Sequence, residues 1–241
     1  RLLVKRVIGL PGDLVGMVVA AALGADRVVV PVSCNDAIDR GPLAALLEPK
    51  TRIGSPYVIA GMLAARARGA RRVCGWEANG GFLTGSDIER DGRVLPALPT
   101  RDAFLPIITV LAEALRGRSS VDALFDALPR RYSRAGLLRP CPRSAGLAAA
   151  AALLPRDGEP QVAFAGRVAR YFTMEDGFPA VVSVNGTDGT RLGFANRDVA
   201  HVRPSGNADE LRIYAVADSQ ARADAIVAAA LRPKDGVLTR L

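Results

Sequence analysis

At 241 residues, with 49% hydrophobic and 23% charged, the chain is globular in composition and long enough for two modest domains. No apolar run approaches the roughly 20 uncharged residues of a membrane span, and Cys34, Cys74 and Cys141 have neither disulfide-framework nor metal-ligand spacing, which favours a reduced, cytosolic setting. The net charge of +8 suits a small anionic ligand better than nucleic acid, because the arginines are dispersed among acids and aromatics make up only 5%.

Residues 1–11 form a basic, partly β-branched lead-in, read as the trailing edge of a preceding domain. Asp13 stands at an N-cap position before an apolar helix that Gly24 stops. Arg27 to Val32 suits a buried strand, Pro42 to Leu47 a short helix, and Pro56 the first turn of a helix ending near Arg68. Arg72 to Trp76 is the next strand, and Asp91-Gly92 is a hairpin turn. Asp102 to Leu115 reads as a helix with Phe104, Leu105, Ile107, Ile108, Leu111 and Leu115 on its buried side, followed by a short helix from Val121 to Leu128. Strands alternating with helices predict an α/β domain over residues 12–130 with a mixed, mainly parallel sheet. Residues 131–160, rich in Arg, Pro and Gly, are assigned to a linker or hinge. The last domain, 161–241, is a small α+β unit. Its expected strands are Gln161 to Tyr171, Ala180 to Val184, Arg191 to Phe194, Val199 to Arg203 and Leu211 to Ala217, under a helix from Ser219 to Leu231.

Two loops carry chemistry. Gly75-Trp76-Glu77-Ala78-Asn79-Gly80-Gly81 follows a strand, where ligand groups gather in open α/β sheets. In Arg203-Pro204-Ser205-Gly206-Asn207, a guanidinium fork, a hydroxyl and a glycine able to adopt positive φ converge as an anion cradle. Taken alone, the first is equally a glycine-rich turn and the second a solvated surface turn. His201 is read as a satisfied or solvent-facing histidine rather than a general base, and Arg212 as a strand arginine that commonly faces outward but could reach the same anion.

The second loop, continued by Leu211-Arg212-Ile213-Tyr214, resembles the phosphate-binding loop of the α-D-phosphohexomutases, and the first is similar to that family's sugar-recognition loop. Thr51-Arg52-Ile53-Gly54 and Pro11-Gly12-Asp13 extend the likeness, and Asn79 resembles the phosphomannomutase/phosphoglucomutase-type branch. The resemblance implies the third and fourth domains of such an isomerase, the fourth resembling a TATA-box-binding-protein-like fold. Glu77, Asn79 and Gly80 would hold the sugar and Arg203, Ser205, Gly206, Asn207 and Arg212 the phosphate, with Ser55 and Arg1 as further contacts. It also implies a phosphoserine and a Mg²⁺ loop in an N-terminal half, hexose 1,6-bisphosphate as intermediate or activator, and no metal ligand or catalytic nucleophile in the residues here. Asn207, Asp209 and Gly81 depart from the family's Thr, Pro and His, and Asp209 brings a carboxylate near the phosphate. The competing reading is a non-catalytic sugar-phosphate-binding or regulatory protein with no nucleic-acid or membrane partner.

Overall fold

The computed structural model describes residues 11–241, so the readings of Arg1 and of the lead-in up to residue 10 lie outside the described residues. The chain divides into two units, the first ending at Pro129 and the second running Arg130–Leu241.

In the first unit, α1 (Gly12–Ala22), β1 (Arg27–Val29), α2 (Ser55–Ala67), β2 (Val73–Trp76), β3 (Phe82–Thr84), β4 (Ile88–Arg90), β5 (Arg93–Leu95), β6 (Leu98–Asp102), α3 (Phe104–Arg116) and α4 (Val121–Asp126) follow one another. The four-stranded sheet has the order β1-β2-β3-β6. Only β1 and β2 run parallel, while β2–β3 and β3–β6 are antiparallel, so among the described residues the sheet is mixed without being mainly parallel. The reason is local: residues 77–81 turn the chain straight back along β2, leaving no room for the crossover that a parallel neighbour needs. Alternation along the strands then feeds two layers. Val28, Cys74, Trp76 and Phe82 pack with Met17, Val18 and Val19 of α1, and Val29, Val73 and Leu83 pack with Val58 and Met62 of α2. The Asp91-Gly92 turn joins β4 to β5 with positive φ at both residues, as a tight hairpin requires.

Two expectations in this unit change. Pro11, without a side-chain cap, occupies the N-cap of α1, and Asp13 lies buried in the first turn. On α3 the wide apolar stripe of Phe104, Ile107, Ile108, Leu111 and Leu115 is exposed, while Pro106, Thr109, Val110 and Ala114 are buried. The smaller stripe lets α3 lie close to α1. Periodicity locates an apolar face but does not say which body it faces.

The second unit contains β7 (Tyr132–Leu138), α5 (Arg143–Ala152), α6 (Gln161–Val168), β8 (Val181–Asn185), β9 (Thr190–Phe194), β10 (Val199–Pro204), β11 (Leu211–Ala217), α7 (Gln220–Leu231) and α8 (Val237–Arg240). Its five strands are antiparallel in the order β7-β11-β10-β9-β8. Residues 131–160 are therefore no linker. β7 pairs with β11 from Tyr132↔Ala217 to Leu138↔Leu211, and Arg131 is buried against Asp218 Oδ1 at 2.5 Å and the Arg197 carbonyl at 2.6 Å. The Arg/Pro/Gly composition misled because Arg131, at its start, is a buried structural residue. Gln161–Val168 is helical rather than a strand: Pro160 occupies its N-cap, and Phe164 and Val168, four residues apart, share the buried face. Arg167 then binds both oxygens of Glu159 and the carbonyls of Ala152 and Leu154, tying α6 to the end of α5. Among the described residues, no helix is long and apolar enough to cross a membrane.

Candidate functional site

The first loop begins where β2 ends. All four β2 residues are buried, so Glu77 emerges from the sheet's interior edge and is itself only 6% exposed. Its N–H donates to the Gly81 carbonyl at 3.0 Å, its carbonyl accepts from Gly80 N–H at 3.0 Å, and Asn79 Oδ1 accepts from Gly81 N–H at 3.1 Å. These bonds close the loop on itself. Gly80 has φ +91°, and a Cβ on Gly12 would lie 2.2 Å from the Gly80 nitrogen, so the start of α1 rests directly on the loop backbone.

Ser55, the first residue of α2, donates its hydroxyl to Glu77 Oε2 at 2.9 Å. The carboxylate thus sits at a helix N-terminus, where unpaired N–H groups and the helix dipole favour negative charge. In the first turn of α1, Asp13 accepts from the N–H groups of Leu14 at 3.0 Å and Asn35 at 2.8 Å. Burial raises the Asp13 carboxyl above its ordinary range, opposed by those backbone N–H groups. Cys34 is pushed up further, by burial first and then by the Asp13 charge, so it stays a thiol and is no nucleophile. The structure thereby brings Ser55, Glu77, Asn79 and Gly80 into one loop system.

The second loop joins β10 to β11. Arg203 and Arg212 are direct register partners, which puts their side chains on one sheet face. Ser205 is 2% exposed, its N–H donates to the Glu210 carbonyl at 2.8 Å, and its hydroxyl donates to Asn207 Oδ1 at 3.1 Å. Gly206 does not adopt the positive φ expected of it. Its contribution is room, because nothing lies within 4 Å of where a Cβ would stand. Gly206, Asn207 and Ala208 are exposed, and their backbone N–H groups meet no acceptor among the described residues. Three successive N–H groups without a protein acceptor thus follow Arg203 in the chain. Asp209 is exposed, so its charge is screened by solvent.

Three residues that the sequence reading passed over fix this loop. Buried Glu210 pairs with Arg139 through one oxygen and holds Arg212 Nε and Nη2 at 2.9 and 2.8 Å through the other. Asp188 Oδ1 lies 3.0 Å from Arg203 Nε, and both side chains are largely buried. The Asp188 turn is pressed onto β10: a Cβ on Gly189, at φ +74°, would meet the Val202 carbonyl at 2.4 Å. His201 Nε2 lies 2.6 Å from the Asp188 carbonyl. Burial chiefly, with Arg191 and Arg203 nearby, lowers the His201 pKa to about 4, so the ring is neutral at pH 7 and donates Nε2–H to that carbonyl. The only signal for Asp188 in the sequence is Asp-Gly turn chemistry, and Glu210 and Arg139 show none.

The family model for the phosphoglucomutase/phosphomannomutase alpha/beta/alpha domain III matches residues 11–132, and the model for the C-terminal domain of the same family matches 140–232. A phosphomannomutase of Salmonella muenchen is 39% identical over 218 residues, covering 90% of this chain and 43% of that protein. One of Sinorhizobium fredii is 36% identical over 222 residues, covering 92% and 44%. Among solved structures, a putative phosphomannomutase from Thermus thermophilus aligns over 89% of this chain and 38% of its own, with TM-score 0.56 at 16% identity. An Aspergillus fumigatus N-acetylphosphoglucosamine mutase, in complex with GlcNAc-6P and magnesium, aligns over 89% and 45% with TM-score 0.55, also at 16% identity. At that identity the structural likeness speaks for the fold alone. The chain spans less than half the length of the curated relatives it matches. Its two units carry, in order, the family's third and last domains: the chain belongs to the phosphoglucomutase/phosphomannomutase family.

Proposed function

We propose that this chain is the substrate-holding part of an intramolecular phosphotransferase that interconverts hexose 1-phosphate and hexose 6-phosphate, of mannose, glucose or both, in the cytoplasm. The observation that carries the reading is the run of unpaired N–H groups at Gly206, Asn207 and Ala208 beside Arg203, in a chain of this family. In this reading the second unit holds the phosphate that does not react. Arg203 supplies charge-assisted donors and the loop amides complete the cradle, with Arg212 and the Ser205 hydroxyl at its sides. Glu77 accepts from neighbouring sugar hydroxyls that both substrate orientations present, Ser55 orients its carboxylate, and the Asn79 side chain adds a donor. The chain binds and orients; bond-making belongs to a phosphoserine and Mg²⁺ in a further part of the protein, with hexose 1,6-bisphosphate as the intermediate. Among the described residues, no three His, Cys, Asp or Glu side chains gather as a metal site, so these residues do not fit Mg²⁺ and no step is assigned to it here. We extend the reading to the second unit's fold, whose five antiparallel strands and α7 we take as TATA-box-binding-protein-like.

Calorimetric titration of the chain with mannose 1-phosphate and glucose 6-phosphate tests this. Saturable binding is expected, weakened about a hundredfold by Arg203→Ala, since losing charge-assisted bonds costs about 3 kcal/mol. No turnover is expected when Mg²⁺ and glucose 1,6-bisphosphate are added. Equal binding by the variant would misplace the cradle, and turnover would overturn the division of labour.

A further inference from the structure

The β10–β11 loop has an arginine on its far side that neither its motif nor its own strands supply. Leu211 and Ile213, which flank Arg212, point into the core of the second unit, so Arg212 and its register partner Arg203 lie on the opposite face of the sheet. On the other side of β11, β7 ends its pairing at Leu138↔Leu211, which leaves Arg139 and Glu210 facing one another one residue further on. Buried Glu210 takes Arg139 on Oε1, and Arg212 Nε and Nη2 on Oε2. The main chain repeats the tie, because Cys141 N–H donates to the Asp209 carbonyl at 3.0 Å.

Arg203 is matched by the Asp188 carboxylate, whereas Glu210 is shared between two guanidinium groups. One arginine suffices to neutralise Glu210, and Arg212 already gives it two N–H groups. Arg191, on the same face, stands one cross-strand row farther from the loop, opposite His201. The surplus positive charge nearest the loop therefore comes from Arg139. Its side chain is 64% exposed, and the bond to Glu210 takes only one of the five N–H donors of a guanidinium.

We propose that Arg139 is a third arginine of the phosphate site, aimed by Glu210 and donating to the same phosphate group as Arg203 and the loop amides. This contact presupposes the phosphate reading above and extends it: the anion is gripped from both strands that flank β11. A phosphate monoester has three terminal oxygens, one for each of Arg203, Arg212 and Arg139, and a dianion favours a site with charge to spare.

Arg139→Ala also strips Glu210 of a partner, and an unbalanced carboxylate would by itself repel the anion. A double-mutant cycle separates the two effects. In calorimetric titration with inorganic phosphate, Arg139→Ala should weaken binding about tenfold, with circular dichroism unchanged because the side chain is mostly exposed. In a Glu210→Gln background, where no carboxylate is left to mask, the same replacement should still cost about threefold or more. A second readout needs no Glu210 variant: saturating inorganic phosphate should slow the modification of Arg139 by phenylglyoxal, followed in the parent chain by peptide mass spectrometry. No loss in the Gln background, or an Arg139 that reacts equally fast with and without phosphate, would reduce Arg139 to a counter-ion of Glu210 and overturn the proposal. Phosphate binding that Arg203→Ala weakens and Arg139→Ala leaves alone would overturn it while sparing the cradle. A parent that binds no phosphate would remove both.

Discussion

The two loop systems hold their charges in opposite ways. In the first unit the charge proposed to meet the ligand is a carboxylate, Glu77, held by a hydroxyl and a helix N-terminus while the loop backbone closes on itself. In the second unit the charges proposed to meet the ligand are guanidinium groups, held by the carboxylates Asp188 and Glu210 while the loop backbone stays open. An acceptor site is thus built from donors and a donor site from acceptors. Closed backbone beside a carboxylate leaves side-chain acceptors for hydroxyls, whereas open backbone beside arginines adds N–H groups for an anion. The difference teaches that the groups fixing each site are as specific to its ligand as the groups that would touch it.

Acid should separate the two regions most strongly. His201 has a folded pKa lowered from 6.5 to about 4, so its contribution to stability is present above pH 6.5 and is lost as pH falls toward 4, where the unfolded chain binds the proton first. The full loss is on the order of a few kcal/mol. Asp13 in the first unit has the opposite sign. Its pKa is raised on folding, so it favours the folded state at low pH and costs stability as pH rises through its folded pKa. Hydrogen exchange followed from pH 7 to pH 4.5 should show β10 and β9 losing protection before α1 and β2. His201→Gln should flatten that dependence. If the variant keeps the parent's slope, the histidine is not the group responsible.

Next in size is Glu77→Gln, which keeps one acceptor but removes the charge. Hydrogen bonds to charged groups are worth roughly 1.5 to 3 kcal/mol, so kcat/KM in the complete enzyme should fall about ten- to a hundredfold. The loss should be equal for 1-phospho and 6-phospho sugars, with affinity for inorganic phosphate unchanged. A variant that instead loses phosphate affinity would erase the contrast between the two loops.

Much of this is legible in the sequence, and the limits have physical causes. Both loops stand out because their polar groups lie together along the chain, and β1, β2, β10, β11, α2 and α7 because each buries a regular pattern. Residues 131–160 mislead because buried Arg131 looks like a solvated arginine until its carbonyl partner, distant in sequence, is known, and partly buried Arg167 just beyond them does the same. The α3 stripe is legible as a face but not in direction, since burial depends on what packs there. Glu210 and Asp188 escape notice because a carboxylate that orients an arginine carries no local pattern: its meaning comes from strand pairing.

The smallest expected effect tests that last point. Asp188 pairs with Arg203, so in the proposed site Asp188→Asn should act through the guanidinium it orients. The amide keeps the turn's shape and a neutral acceptor, and the main-chain anchor from His201 to the residue 188 carbonyl is untouched by the substitution. What is lost is one charge-assisted contact in a largely buried pair. Two terms oppose each other, because removing a negative charge near a phosphate favours binding while freeing the guanidinium disfavours it by widening its rotamer choice. With the pair at 3.0 Å, loss of orientation should win, by about 1 kcal/mol, or roughly fivefold in the apparent affinity for inorganic phosphate. KM for both hexose phosphates should rise by the same factor while kcat stays near the parent's, a split that general destabilisation would not give. Asp188→Glu should not rescue, because the longer side chain cannot keep the ion pair with Arg203 on a turn held this tightly against β10. Tighter phosphate binding by Asp188→Asn would mean that the carboxylate competes with the ligand instead of aiming the arginine at it.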